Sequence, residues 1–134
     1  MPVPGKTFTC EVEVRWADLD LLAHVNNAKY FEYAMEARVQ FYRHLFPEAS
    51  PVVLRKTDCE FLHQVVVESG PLTVEVSVTH IGNTSYTLRH VMRDNEGREC
   101  AIAHAVMVAV DPATQRPRPV SDAERAAFTG YLNS

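Results

Sequence analysis

The sequence predicts an α+β domain in which an antiparallel sheet wraps one long central helix. Three observations carry this. A segment of strict two-residue alternation stands near the start. An apolar stretch of helical period follows it. Everything after that stretch, up to a short final helix, reads as β-structure. The 134 residues predict a single domain covering 1–134, large enough for a core without metal or disulfide help.

In the first element Phe8, Cys10, Val12, Val14 and Trp16 alternate with Thr9, Glu11, Glu13 and Arg15, the pattern of a half-buried strand. A polar loop from Ala17 to His24 comes next. From about Asn27 to Leu45, Tyr30, Phe31, Ala34, Met35, Phe41, Tyr42 and Leu45 recur at spacings of three and four. Apolar residues cover so much of this helix that it is expected to be largely buried. Pro47 and Pro51 close the region. Val52 to Val67 is a strand or a strand pair. Leu72, Val74, Val76 and Val78 mark the cleanest strand, and His80 to Thr84 supply a turn. Tyr86, Leu88, His90 and Met92 alternate in a further strand, with a hairpin turn at Asp94-Asn95-Glu96-Gly97. Cys100 to Val110 is almost continuously apolar, as in a strand covered on both faces. Ser121-Asp122-Ala123-Glu124 reads as a capping box that starts the final helix.

Composition narrows the function classes. Hydrophobic residues at 46% and charged residues at 22% are ordinary for a soluble domain. A net charge of −4 argues against nucleic acid as the main partner, because phosphate contacts need a basic surface. No apolar run approaches the ~20 residues of a membrane span. The opening residues Met1 to Lys6 lack an apolar core, so no secretory leader is expected. Cys10, Cys59 and Cys100 have no metal-like spacing, and Cys59 has no identifiable paired base. The expected setting is reducing and cytoplasmic. His44, His63, His80, His90 and His104 show no ligand spacing such as His-x-x-x-His, so no metal site is expected.

The chemistry concentrates in Asp18-Leu19-Asp20-Leu21-Leu22-Ala23-His24-Val25-Asn26-Asn27-Ala28-Lys29-Tyr30, where strand gives way to helix. Asn26 or Asn27 is a natural N-cap. The first helical turn offers unpaired N–H groups and a partial positive charge. A carbonyl placed there would find its developing oxyanion met by donors already oriented. Asp20 lies near enough to act on the same carbon, as nucleophile or through a water. Asp18 is expected to be structural. His24 could contact the reacting group or only support the loop. Tyr30, Glu32 and Glu36 fall on the helix, with core or interface partners.

Asp20, then His24-Val25-Asn26-Asn27-Ala28-Lys29-Tyr30, followed by Glu32, Glu36, Ala37 and Arg38, resembles the signature of 4-hydroxybenzoyl-CoA-thioesterase-like hotdog proteins. The long-chain acyl-CoA thioesterases are the nearest flavour. The resemblance implies hydrolysis of an acyl-CoA thioester without a bound cofactor. It also implies a homodimer joined edge to edge, or a homotetramer built from it, with sites and a pantetheine channel between subunits. Residue by residue, it makes Asp20 the catalytic carboxylate and the Asn27 N–H the carbonyl-polarising donor. His24 and Asn26 shape the pocket beside them, and Tyr30 stands among the substrate-binding positions. Acyl carrier protein in place of CoA, and the acyl chain itself, stay open. Ala23 stands where the family usually has glycine, and Leu62-His63-Gln64 replaces a more usual Leu-Arg-Pro. A hotdog hydratase or dehydratase is the first rival, but its usual His-Phe-Pro or Asp-x-Asn-Pro-x-His pattern is missing. A non-catalytic binder of acyl or pantetheine groups is the second.

Overall fold

In the computed structural model, which describes residues 5–133, the elements run in the expected order. The leader expectation at Met1 to Pro4 lies outside the described residues. Strand β1 (Phe8–Val12) and a short 3₁₀ turn (Trp16–Asp18) precede the helix α1 (Asn27–Leu45). Strands β2 (Val52–Phe61), β3 (Leu72–Ile81), β4 (Ser85–Arg93) and β5 (Glu99–Ala109) follow, and α2 (Asp122–Thr129) comes last. The five strands form one antiparallel sheet in the order β1-β3-β4-β5-β2. β2 is therefore an edge, although it sits second among the strands in the chain.

The alternation places side chains as expected on the inner face. Across the sheet, Val76, His90, Ala103 and Cys59 share one row, and Val78, Leu88, Ala105 and Thr57 share the next. Helix α1 lies over this face, burying Tyr30, Tyr33, Ala34, Ala37, Arg38 and Phe41. Its main strand partners are β1, β3 and β5. On one flank Glu36 and Gln40 reach Arg15 and the Glu11 carbonyl beside β1. The opposite flank, with Val39, Tyr42 and Phe46, faces the start of β2.

Three expectations need correction, and one open alternative is resolved. Trp16 does not continue β1: it is 78% exposed. The reason is Asp18, whose carboxylate accepts the Arg15 N–H at 3.0 Å and draws residues 15–18 into the 3₁₀ turn, rotating Trp16 outward. The helix is buried on one stripe only, because Met35, at 49% exposure, lies beyond the sheet on the β2 flank. Val52 to Val67 is one strand rather than a pair. It ends at Phe61, where the Leu62 and His63 N–H groups both turn to the Cys100 carbonyl. The turn expected from His80 begins only at Gly82, whose N–H reaches the Ser85 carbonyl at 2.7 Å.

Local turn chemistry explains the remaining connections. Asp94 accepts the N–H groups of Glu96 and Arg98, and Gly97 takes a positive φ of 83° that side chains disfavour. Ser121 and Glu124 close the reciprocal capping box on α2.

Asp18 ties the loop ahead of α1 to the body of the protein. It is almost fully buried, and its carboxylate accepts the Tyr33 hydroxyl at 2.6 Å as well as the Arg15 N–H. Its carbonyl accepts the Asn26 N–H at 2.9 Å. Burial opposes the Asp18 charge, but the Tyr33 and Arg15 hydrogen bonds and the Arg15 guanidinium outweigh it, holding this carboxyl below the usual range. A carboxylate with a depressed pKa stabilises the fold above its unfolded pKa, and loses that contribution as pH falls through the folded value. Tyr33→Phe is therefore expected to destabilise the protein by about 1.5–3 kcal/mol at neutral pH, the range for a hydrogen bond to a charged group. In urea melts the deficit should shrink as the pH falls below the usual carboxylate range and through the lowered pKa of Asp18. A deficit independent of pH would mean that the bond to the ionised carboxylate is not what is lost.

Candidate active site at the head of the central helix

The loop between Asp18 and Asn26 is a small hairpin closed by its own backbone. Leu19 and Val25 pair as an isolated bridge, and the Asp20 N–H donates to the His24 carbonyl at 2.8 Å. The Ala23 N–H returns to the Asp20 carbonyl at 3.0 Å, and one Asp20 carboxylate oxygen, Oδ1, accepts the Leu22 and His24 N–H groups. The turn requires a left-handed residue, and Ala23 supplies it at φ 61°. That is the backbone glycine adopts freely and alanine adopts at a cost of roughly 1 kcal/mol. The loop thus keeps the shape that glycine would favour. Val25 fixes it from below, donating to the Val65 carbonyl at 2.8 Å.

At the helix start Asn26 is the N-cap. Its side-chain oxygen accepts the Ala28 N–H at 2.9 Å, and its carbonyl accepts the Lys29 N–H at 2.9 Å. Asn27 is the first helical residue, and no hydrogen bond engages its N–H among the described residues. The second carboxylate oxygen of Asp20, Oδ2, is likewise without a partner among them.

These free groups meet in one groove of about 350 Å³. Asp20, His24, Asn27 and Tyr30 line it, together with Leu22 and Val25 and, from the far side, Phe61, Leu62, His63 and Gln64. Four of the five residues singled out from sequence are thereby brought together. Asn26 is not among the lining residues, because its side chain is occupied by the cap. Tyr30 is buried, its ring edge-on to Phe61 at 5.1 Å, and burial raises its hydroxyl pKa. Glu32 and Glu36 stay outside, paired with Lys29 and Arg15.

The sequence reading missed the wall from Phe61 to Gln64. That segment departs from the sheet beside the helix head, and only the departure at Leu62-His63-Gln64 marked it in advance. Among the described residues no three His, Cys, Asp or Glu side chains gather as a metal site would need.

The geometry offers a polarising donor and an anionic oxygen on one concave surface. Comparison with known proteins gives the family. Residues 14–128 match the model of the thioesterase-like superfamily. A predicted thioesterase from Bacillus stearothermophilus is 25% identical, covering 95% of this chain and 97% of that one, with a TM-score of 0.85. A Thermus thermophilus thioesterase, crystallised with coenzyme A and zinc, is 26% identical over 92% of each chain, with a TM-score of 0.82. An uncharacterised Bacillus subtilis protein, YsmA, is 27% identical over 123 residues, 89% of this chain and 83% of its own length. The antiparallel sheet around one long helix is the hotdog fold of these structures, and the chain belongs to the thioesterase-like superfamily.

Proposed function

We propose that this protein hydrolyses an acyl-CoA thioester to a free acid and coenzyme A, in the manner of the 4-hydroxybenzoyl-CoA-thioesterase-like family. The observation that carries the reading is the unengaged Asn27 N–H at the head of a 19-residue helix, in one groove with a free oxygen of Asp20. The coenzyme A bound by the Thermus relative supports the choice of thioester. Acyl carrier protein presents the same pantetheine arm and is the other carrier open to this site.

In this reading the thioester carbonyl lies against the Asn27 N–H. Asp20 takes a proton from water while the water oxygen bonds to the carbonyl carbon. The carbonyl electrons move onto oxygen, where the Asn27 N–H and the helix dipole stabilise them. Collapse breaks the C–S bond, and the thiolate leaves with the proton. Alternatively Asp20 attacks the carbon itself, the C–S bond breaks to release the thiolate, and water cleaves the resulting anhydride, returning the Asp20 carboxylate and supplying the proton the thiolate takes up. His24 borders the groove and orients water or substrate. No bound cofactor enters either route. The whole chain, 1–134, acts as one domain in a cytoplasmic setting, its three cysteines free thiols.

The working unit is a homodimer, or a homotetramer assembled from dimers. β2 is an open edge carrying exposed Val53, Leu54 and Phe61, with exposed Leu62 directly after it. An apolar edge of this kind calls for a second strand. Pairing there would also cover the Phe61 to Gln64 side of the groove.

Two measurements test the reading. Asp20→Asn keeps the shape and one carbonyl acceptor for the Leu22 and His24 N–H groups, but removes the basic oxygen. Thiol release from acyl-CoA should fall ~10²–10⁴-fold with the melting temperature little changed. A variant that melts like wild type and still works within threefold of its rate would remove Asp20 from the chemistry. Sedimentation should find a dimer or tetramer at micromolar concentration, and a stable, active monomer would sink the shared-site arrangement. Because the readout is free thiol, a hydratase or a non-catalytic binder would fail the assay.

A further inference from the structure

A second groove, of about 490 Å³, lies at the tail of α1. Val39 and Tyr42 of the helix and its C-cap Phe46 form one side, Val52 of β2 and Tyr86 of β4 the other, with Phe128 of α2 between them. It shares no lining residue with the groove of Asp20 and Asn27. Along α1, Tyr42 lies roughly 22 Å from Asn27, at a rise of ~1.5 Å per residue.

The walls of this groove are aromatic. The Phe128 ring lies against Tyr86 at 4.3 Å and edge-on to Phe46 at 5.6 Å, which fixes all three. Such a surface suits a flat apolar body. Apolar walls alone would not name a ligand, but two hydroxyls in the same lining do.

Tyr86 donates to the Tyr42 hydroxyl at 2.8 Å. Two hydroxyls joined by one hydrogen bond use one hydrogen and keep the other, whichever way the bond points. Tyr42 therefore carries a hydrogen for which no acceptor stands among the described residues. Burial pushes the Tyr42 hydroxyl up to about 12 and raises that of Tyr86 as well, so both stay protonated at physiological pH. An unclaimed donor in an apolar lining is complementary to an acceptor.

Charge decides which acceptor. Glu124, the buried carboxylate of this groove, is held by two Arg118 nitrogens, at 2.7 and 3.0 Å, and by the Ser121 N–H. Arg43 and Glu48 line the groove as exposed groups of opposite sign. At the hydroxyls, Arg38 and Glu124 act in opposite senses. The Arg38 charge weighs more on Tyr42, and the Glu124 charge more on Tyr86. The pair thus offers a hydrogen without a one-sided field to draw an anion. The matching group is an uncharged carbonyl oxygen.

We propose that the groove at the tail of α1 is a second binding site, which takes an uncharged aromatic ketone or ester whose carbonyl oxygen accepts the free hydrogen of Tyr42. The site does not depend on the thioester chemistry at the helix head.

Three planar molecules of one shape test it. Acetophenone carries the neutral acceptor, α-methylstyrene has a CH2 group in place of that oxygen, and benzoate has a charged oxygen in place of the methyl. In NMR titrations of the protein, acetophenone should bind roughly fivefold more tightly than α-methylstyrene, the effect of one neutral hydrogen bond. Benzoate should bind no more tightly than α-methylstyrene. Tyr42→Phe combined with Tyr86→Phe removes both hydroxyls and leaves neither without its partner. Its melting temperature should change little, and the preference for acetophenone should fall to near one. The wild-type comparison needs no variant and stands even if the double variant does not fold. Equal binding of acetophenone and α-methylstyrene to wild type overturns the proposal, as does a preference that survives the double variant. Tighter binding of benzoate overturns the choice of an uncharged ligand. Acetophenone should also leave the KM for acyl-CoA unchanged. A KM that rises with acetophenone would make the groove part of a neighbouring copy's catalytic cavity and overturn it as a second site. If no thioester is cleaved, the proposed hydrolysis fails, and the titrations alone decide this site.

Discussion

A helix begins with backbone N–H groups that its own hydrogen-bond ladder cannot reach, and the site of this protein depends on how those groups are shared out. The Ala28 N–H goes to the Asn26 side chain and the Lys29 N–H to the Asn26 carbonyl. Asn26 is itself held by Asp18, and Asp18 by Tyr33 two turns along the same helix. The result is a closed circuit from helix to loop and back, and it leaves the Asn27 N–H over. A buried carboxylate of depressed pKa is thus a structural group here, while its neighbour two residues on keeps an oxygen free. The two aspartates differ in role because Asp18 turns into the protein and Asp20 turns into the groove.

The sheet contributes differently. Its five strands present a continuous inner face under α1, but the helix leans away from β2. The small residues of β5 that face it, Ala101, Ala103 and Ala105, are fully covered. The inner face also carries His90, whose Nδ1 meets the Ala103 carbonyl and whose Nε2 is buried without a partner among the described residues.

Much of this was legible in the sequence. Two-residue alternation located β1, β3 and β4, and helical spacing bounded α1, because both report a local geometry meeting a single core. The dense segment from Asp18 to Tyr30 carried the site, since capping and loop closure are local as well. Trp16, Met35 and the wall from Phe61 to Gln64 escaped for the opposite reason. Whether Trp16 extends a strand depends on the Asp18 carboxylate capturing the Arg15 N–H, and whether Met35 is covered depends on which strands lie beneath its flank. Phe61 reaches the helix head only because β2, second among the strands in the chain, takes the far edge of the sheet. Arg38 was visible as part of a motif, but nothing in the spacing showed it to be buried.

The central claim is that a single backbone N–H, rather than any side chain of the helix head, stabilises the reacting carbonyl, and proline tests it directly. Asn27→Pro removes only that hydrogen from the backbone, at the first helical position, where proline is at home. Asn26 already has the extended φ of −61° and ψ of 137° that a residue preceding proline requires, and its cap on the Ala28 N–H is untouched. The account predicts a variant that melts like wild type and releases thiol from acyl-CoA ~10²–10³-fold more slowly, the effect of losing one oriented oxyanion donor. Folded Asn27→Pro protein with a rate within threefold of wild type would contradict it.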